Sequence, residues 1–154
     1  MPIEVILGNH QDITPVPEHW LTVFESIGPD LVSSVLRHVT SGDAPLCHLG
    51  VIEIALVDEE TSARVHRDFM DVDGSTDVIT FHHGEIVICA KVAERNAGEY
   101  DEPLCRELFR YIVHGMLHLA GHEDESEEDR VRMEAAQEQV VRELWHSPLF
   151  EPLR

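Results

Sequence analysis

Residues 104–120, LCRELFRYIVHGMLHLA, constrain the fold more than any other stretch of the chain. Leu104, Leu108, Phe109, Ile112, Val113, Met116, Leu117 and Leu119 cover most of a helical circumference, so no broad face is left for water. A helix of that kind has to be central, with other elements packed around it. Pro103 stands where a missing N–H costs a helix nothing, and Gly121 follows as a natural terminator. The exceptions on this rod are Arg106, Arg110, His114 and His118, each four apart and therefore one polar stripe.

The rest of the chain supplies a sheet and its covering helices. Residues 3–7 are β-branched-rich and closed by Gly8-Asn9, which predicts a first strand. Trp20, Val23, Phe24 and Ile27 recur at helical spacing, Gly28-Pro29 interrupts them, and Leu31, Val35, Leu36 and Val39 resume the pattern. Two helical segments are expected there. Residues 49–57, nearly all apolar, predict an interior strand covered on both faces, and Asp58 caps a helix running to about residue 69. Residues 77–81 and 85–90 read as an antiparallel pair around His82-His83-Gly84, with the glycine at a left-handed position. A short helix over 91–97 follows. Ser126, with Asp129 three positions on, starts a last helix in which Met133, Ala136, Val140, Val141, Leu144 and Trp145 form an apolar stripe. Strands and helices alternate without a strict βαβ repeat. The expected class is therefore α/β (α+β), a small mixed sheet of about four strands packed with helices, and 154 residues argue for one domain over 1–154.

Charge narrows the functions. Thirty acids against 11 Lys and Arg give a net charge of -19, and protonating every histidine would leave the chain negative. Such a surface disfavours non-specific binding to nucleic acid or to anionic membranes, which depends on Lys and Arg releasing counterions, so neither DNA nor a membrane is an expected partner and any nucleic-acid role has to be local. The three cysteines, Cys47, Cys89 and Cys105, contain no C-x-x-C pair and read as reduced thiols, mostly buried. With neither a secretory signal pattern nor a long apolar run, the expectation is a cytoplasmic protein.

His114 and His118 lie one helical turn apart, a spacing that brings two imidazoles to one metal ion. His122 extends the series, but residues eight apart in a continuous helix are separated by about 12 Å along its axis. Two imidazole nitrogens that each sit about 2.0–2.1 Å from one zinc cannot span that distance. The chain has to turn, and Gly121 supplies the turn. The reading preferred is His114, His118 and Asp124, with His122 as the alternative third ligand. Three protein ligands leave one position of a zinc ion open, as in catalytic rather than structural sites. Position 115 is Gly, where H-E-x-x-H metallopeptidases carry the glutamate that serves as base.

The run His114-Gly115-Met116-Leu117-His118-Leu119-Ala120-Gly121-His122-Glu123-Asp124 resembles the H-G-x-L-H-L-x-G-x-D-H signature of the YbeY family of metal-dependent endoribonucleases. Upstream, Arg67 followed by Ser75-Thr76-Asp77-Val78-Ile79-Thr80-Phe81 is similar to that family's arginine and T-D-V-L-S-F segment, and Gly84-Glu85-Ile86 to its G-D-I. The resemblance covers roughly residues 50 to 145, in the family's order. It implies a mixed sheet with a metal cleft at the end of the central helix, one zinc ion per chain, and single-stranded ribosomal RNA precursor as substrate. It also implies the ribosomal subunit or its proteins as partners, and a role for Arg67 in neutralising charge on the reacting phosphate.

Two departures stand out. The family's third histidine is Asp124 here and its preceding Asp is Glu123, so the site's net charge falls by one and harder metals compete better. The loop from Phe81 to Gly84 is also shorter than the family usually has. His82 and His83 stand at that hairpin tip, where histidines are ordinarily only solvated but can border the cleft. The six acids among residues 123–129 read as a solvated helix start from which only Asp124 is drawn as a ligand. Set against the RNA-cutting enzyme are two other classes: a zinc hydrolase of peptides or small molecules, and a metal-stabilised ribosome assembly factor without turnover.

Overall fold

A computed structural model describes residues 2–154. In chain order the elements are β1 (Glu4–Asn9), α1 (Glu18–Leu36), β2 (Val51–Val57), α2 (Glu59–Met70), β3 (Val78–Phe81), β4 (Glu85–Cys89), α3 (Ala90–Glu99), α4 (Leu104–Leu119) and α5 (Glu127–Trp145). Short 3-10 turns cover Pro45–Cys47 and Pro148–Leu153. The four strands form one mixed sheet in the order β1-β2-β4-β3, with β1, β2 and β4 parallel and β3 antiparallel to β4. This is the α+β class expected, and the hairpin turns at Gly84 with φ +110°.

Alternation along the strands decides where the helices go. Ile52, Ile54, Leu56, Ile86 and Ile88 belong to the main core, into which α1, α4 and α5 send Phe24, Ile27, Leu31, Phe109, Met116 and Val140. Residues of the opposite parity, Val57, Ile79 and Val87, form a smaller cluster with Val65 of α2 and with Phe81. The α4 rod is central as its sequence requires: Leu108, Phe109, Val113, Met116 and Leu117 are fully buried. At Gly115 an added Cβ would lie 2.8 Å from Ile86 Cγ2 and 3.2 Å from Thr80 Oγ1, so glycine is what lets α4 lie close against β3 and β4. The edge strand β3 is thereby held beside the histidine end of α4.

Two expectations need correction. Gly28-Pro29 does not divide α1, which runs unbroken from Glu18 to Leu36 with Pro29 inside it. Proline forfeits one backbone bond there, but Phe24, Ile27, Leu31 and Val35 all pack into one core and hold the helix through it. Gly28 is a packing residue rather than a breaker, since a Cβ would stand 3.1 Å from Val5 Cβ on β1. The second strand starts at Val51 rather than at residue 49, and it is covered on both faces only toward its end. Val51 is exposed and Glu53 faces solvent, because α2 reaches only the far half of that side. The cysteines are as expected: all three thiols are free and they are mostly buried, Cys89 and Cys105 inside and Cys47 exposed.

Candidate metal centre

The C-terminus of α4 builds the site. Ala120 closes the helix and Gly121, at φ +101°, reverses the chain. The Gly121 N–H donates to the His118 carbonyl at 3.0 Å and the His122 N–H to the Leu117 carbonyl at 3.0 Å, the paired bonds of a Schellman termination. The segment leaving α1 seals this end, because the Thr40 N–H donates to the Ala120 carbonyl and His122 Nε2–H to the His38 carbonyl at 2.7 Å. The returning strand of chain then carries Asp124 back over the last turn of α4.

His114 Nε2 and His118 Nε2 each lie 3.6 Å from Asp124 Oδ2. One donor atom from each of the three residues lies within 4.8 Å of the others. Donors about 2.0–2.1 Å from a tetrahedral zinc stand about 3.4 Å apart, so the two contacts to Asp124 match such an ion, while the group as a whole, which spreads over up to 4.8 Å, has to draw together to hold it. Two imidazoles and a carboxylate are also a donor set that zinc accepts. His118 Nδ1–H donates to the His122 carbonyl at 2.9 Å and His114 Nδ1–H to Gln137 Oε1 at 2.8 Å, which leaves both Nε2 lone pairs toward Asp124. Burial, together with the neighbouring His114, pushes the His118 pKa down against the pull of Asp124, keeping that ring neutral as a ligand must be. His122 is buried and engaged with His38, outside the group.

A cleft of about 400 Å³ opens over the triad. Its walls are β3 and the segment before it, from Thr76 to Thr80, together with Met70, His82 and the acids Glu123 and Glu125. His82 therefore borders the cleft, while His83 stacks on Phe81 with 5.5 Å between centroids and lies 3.7 Å from Glu85. Arg67 sits in the last turn of α2 with its side chain 60% exposed and Nε 3.7 Å from Asp68. It is not among the residues lining this cleft, although Met70, one turn further along the same helix, is.

Behind His114 lies a polar network that the sequence reading did not single out. Gln137 Nε2 donates to Glu138 Oε2 at 3.1 Å, and Arg110 grips Glu138 through Nε at 2.9 Å and Nη2 at 3.2 Å. Arg110 Nη1 also reaches Glu102 and the buried Glu107. Burial alone would lower the Arg110 pKa, but its hydrogen bonds to Glu138, Glu102 and Glu107 hold it above the ordinary range. Burial likewise opposes charge on Glu138, and the bonds from Arg110 and Gln137 keep its carboxyl below the usual value. A signal for this network was present: Gln137 interrupts the apolar stripe of α5 between Met133 and Val140.

Fold and site together define an α+β protein with a three-donor group able to hold a metal ion at the end of its central helix. The chain belongs to the YbeY family, whose model, described as Endoribonuclease YbeY, matches residues 26–145. Curated relatives named Endoribonuclease YbeY include that of Thermotoga neapolitana, 37% identical over 60% of this chain and 66% of its own. That of Chlorobium luteolum is 37% identical over 61% of this chain and 75% of its own. The Thermotoga petrophila relative is 32% identical over 79% and 85% respectively. A Thermotoga maritima protein solved in solution superposes with a TM-score of 0.57 at 23% identity, covering 96% of this chain and 95% of that one, and so shares the fold. No helix among the described residues is long and apolar enough to cross a membrane.

Proposed function

We propose that this chain is a zinc-dependent endoribonuclease that cuts single-stranded RNA in ribosomal RNA maturation and ribosome quality control. In this reading it acts in the cytoplasm as one domain over residues 1–154, with one ion per chain. The observation that carries the proposal is the convergence of His114, His118 and Asp124 on the floor of an open cleft, in a chain whose family relatives are named as endoribonucleases.

His114, His118 and Asp124 would hold the ion. Zinc in a three-ligand site supplies positive charge that polarises a phosphoryl oxygen and acidifies water. The chain's own residues do the positioning. The backbone carbonyl of His122 and the amide of Gln137 fix the two imidazoles, and β3 forms the wall along which a single strand lies. Glu123 and Glu125 at the rim repel phosphate, so the RNA backbone enters from the side of α2. Arg67 meets it there. Its weak, exposed pairing with Asp68 leaves the guanidinium free to swing onto a phosphate and neutralise charge gathering in the transition state. A protein or ribosomal partner that delivers the RNA would relieve the repulsion from the rest of the acidic surface. Peptide hydrolysis is the weaker reading, because position 115 packs against Ile86 and Thr80 and has no room for a glutamate.

The test is cleavage of single-stranded RNA by the purified protein with and without a chelator. Loss of cleavage on chelation and its return with zinc support the proposal, and cleavage that ignores both would sink it. Arg67→Ala is expected to slow cleavage by roughly 10- to 100-fold while zinc content stays at the wild-type value. Equal rates for the two proteins would remove Arg67 from the reaction.

A further inference from the structure

The polar stripe on α4 has two halves, and the metal-binding group uses only the histidines. Arg110, one turn below His114, does not line the cleft along β3 but borders a neighbouring cavity together with His114, Asp124 and Gln137, and its side chain, only 16% exposed, is committed to three carboxylates. Burying the Arg110 guanidinium and the Glu107 carboxylate this far costs desolvation that a surface pair would avoid. The same guanidinium fixes the more exposed Glu138, and what Glu138 holds is Gln137. Glu138 takes the Gln137 Nε2–H, which turns Oε1 toward His114 Nδ1 at 2.8 Å. The two ligand imidazoles are thus fixed differently. His118 donates to a backbone carbonyl, which no substitution removes, whereas the ring orientation of His114 depends on a side chain.

We infer that Gln137 is a positioning residue for the metal centre, fixing His114 as its Nδ1–H tautomer so that Nε2 faces the ion, with the Arg110–Glu138 pair holding the amide in that orientation. The inference rests on the zinc reading above. A histidine ligand whose far nitrogen donates to a fixed acceptor is the better base and is already aimed, and losing such an acceptor ordinarily weakens metal binding by about 10- to 100-fold.

The test compares zinc affinity, by competition with a chromophoric chelator, among the wild type, Gln137→Met and the paired exchange Gln137→Glu with Glu138→Gln. Methionine keeps nearly the same volume and removes the acceptor, whereas the exchange keeps an acceptor oxygen at position 137 and places an amide donor at position 138 to hold it, where the wild type has the reverse. The Met protein is expected to bind zinc about 10- to 100-fold more weakly, with the exchanged protein within about threefold of the wild type. Equal affinity for the Met and wild-type proteins would overturn the inference, as would an exchanged protein as weak as the Met protein. The tautomer can be read without any variant: nitrogen NMR of metal-free wild type at about pH 8 should show the proton of His114 on Nδ1. A proton mainly on Nε2 would also overturn it. A wild type that takes up no zinc would instead remove the zinc reading itself, which separates the two failures.

Discussion

His118→Ala is expected to abolish stoichiometric zinc uptake and to slow RNA cleavage by on the order of 10³-fold or more, because two protein donors do not hold a catalytic zinc. The fold should survive the change. His118 contributes one hydrogen bond to its surroundings, from Nδ1 to the His122 carbonyl, worth about 1 kcal/mol. Urea unfolding of the metal-free variant should therefore fall by about that amount while metal binding disappears. His122→Ala is the matched control, since His122 is 8% exposed and its Nε2–H is spent on the His38 carbonyl. It should lose about 1–3 kcal/mol of stability through that bond and its packing and still bind zinc. The pair of variants thus separates a ligand from a buttress. Zinc lost in His122→Ala but kept in His118→Ala would reverse the assignment.

Much of this was legible in the sequence because the signals were local. The α4 rod announces its own burial, Asp58 and Ser126 cap the helices they were expected to cap, and a glycine at position 84 marks the hairpin. The return of Asp124 to His114 and His118 follows from distance along a helix together with a glycine that ends it. What stayed hidden depends on partners far away in the chain. Gly28-Pro29 reads as punctuation until Val5 is seen against Gly28. The one-sided cover of the first half of β2 depends on how far α2 extends over that face of the sheet. Pro148–Leu153 carries no pattern of its own, yet Phe150 packs among Phe109, Trp145 and Phe24. The position of Arg67 beside rather than within the cleft is set by where α2 ends, which no motif states.

The left-handed turn after α4 is the joint on which the fold and the proposed metal binding both depend, and Gly121→Ala is expected to damage both. At φ +101° a side chain is strained whatever the space. Here the space is also taken: an added Cβ would stand 2.0 Å from Thr40 Oγ1 and 3.3 Å from Thr40 Cβ. Together these terms predict a loss of about 2–4 kcal/mol in urea unfolding of the metal-free protein. Relief of the clash would displace the Thr40 backbone bond to Ala120 and swing the segment bearing Asp124 off the two imidazoles. Zinc affinity should then fall by more than tenfold, in keeping with the sensitivity of a metal site to the placement of its ligands. The two causes can be separated. Adding Thr40→Ala to Gly121→Ala removes the Oγ1 contact and leaves the dihedral strain, so the double variant should regain part of the stability and remain about 1–2 kcal/mol below wild type. A Gly121→Ala protein as stable as wild type, with zinc bound as tightly, would mean that the turn is not what carries Asp124 to the histidines.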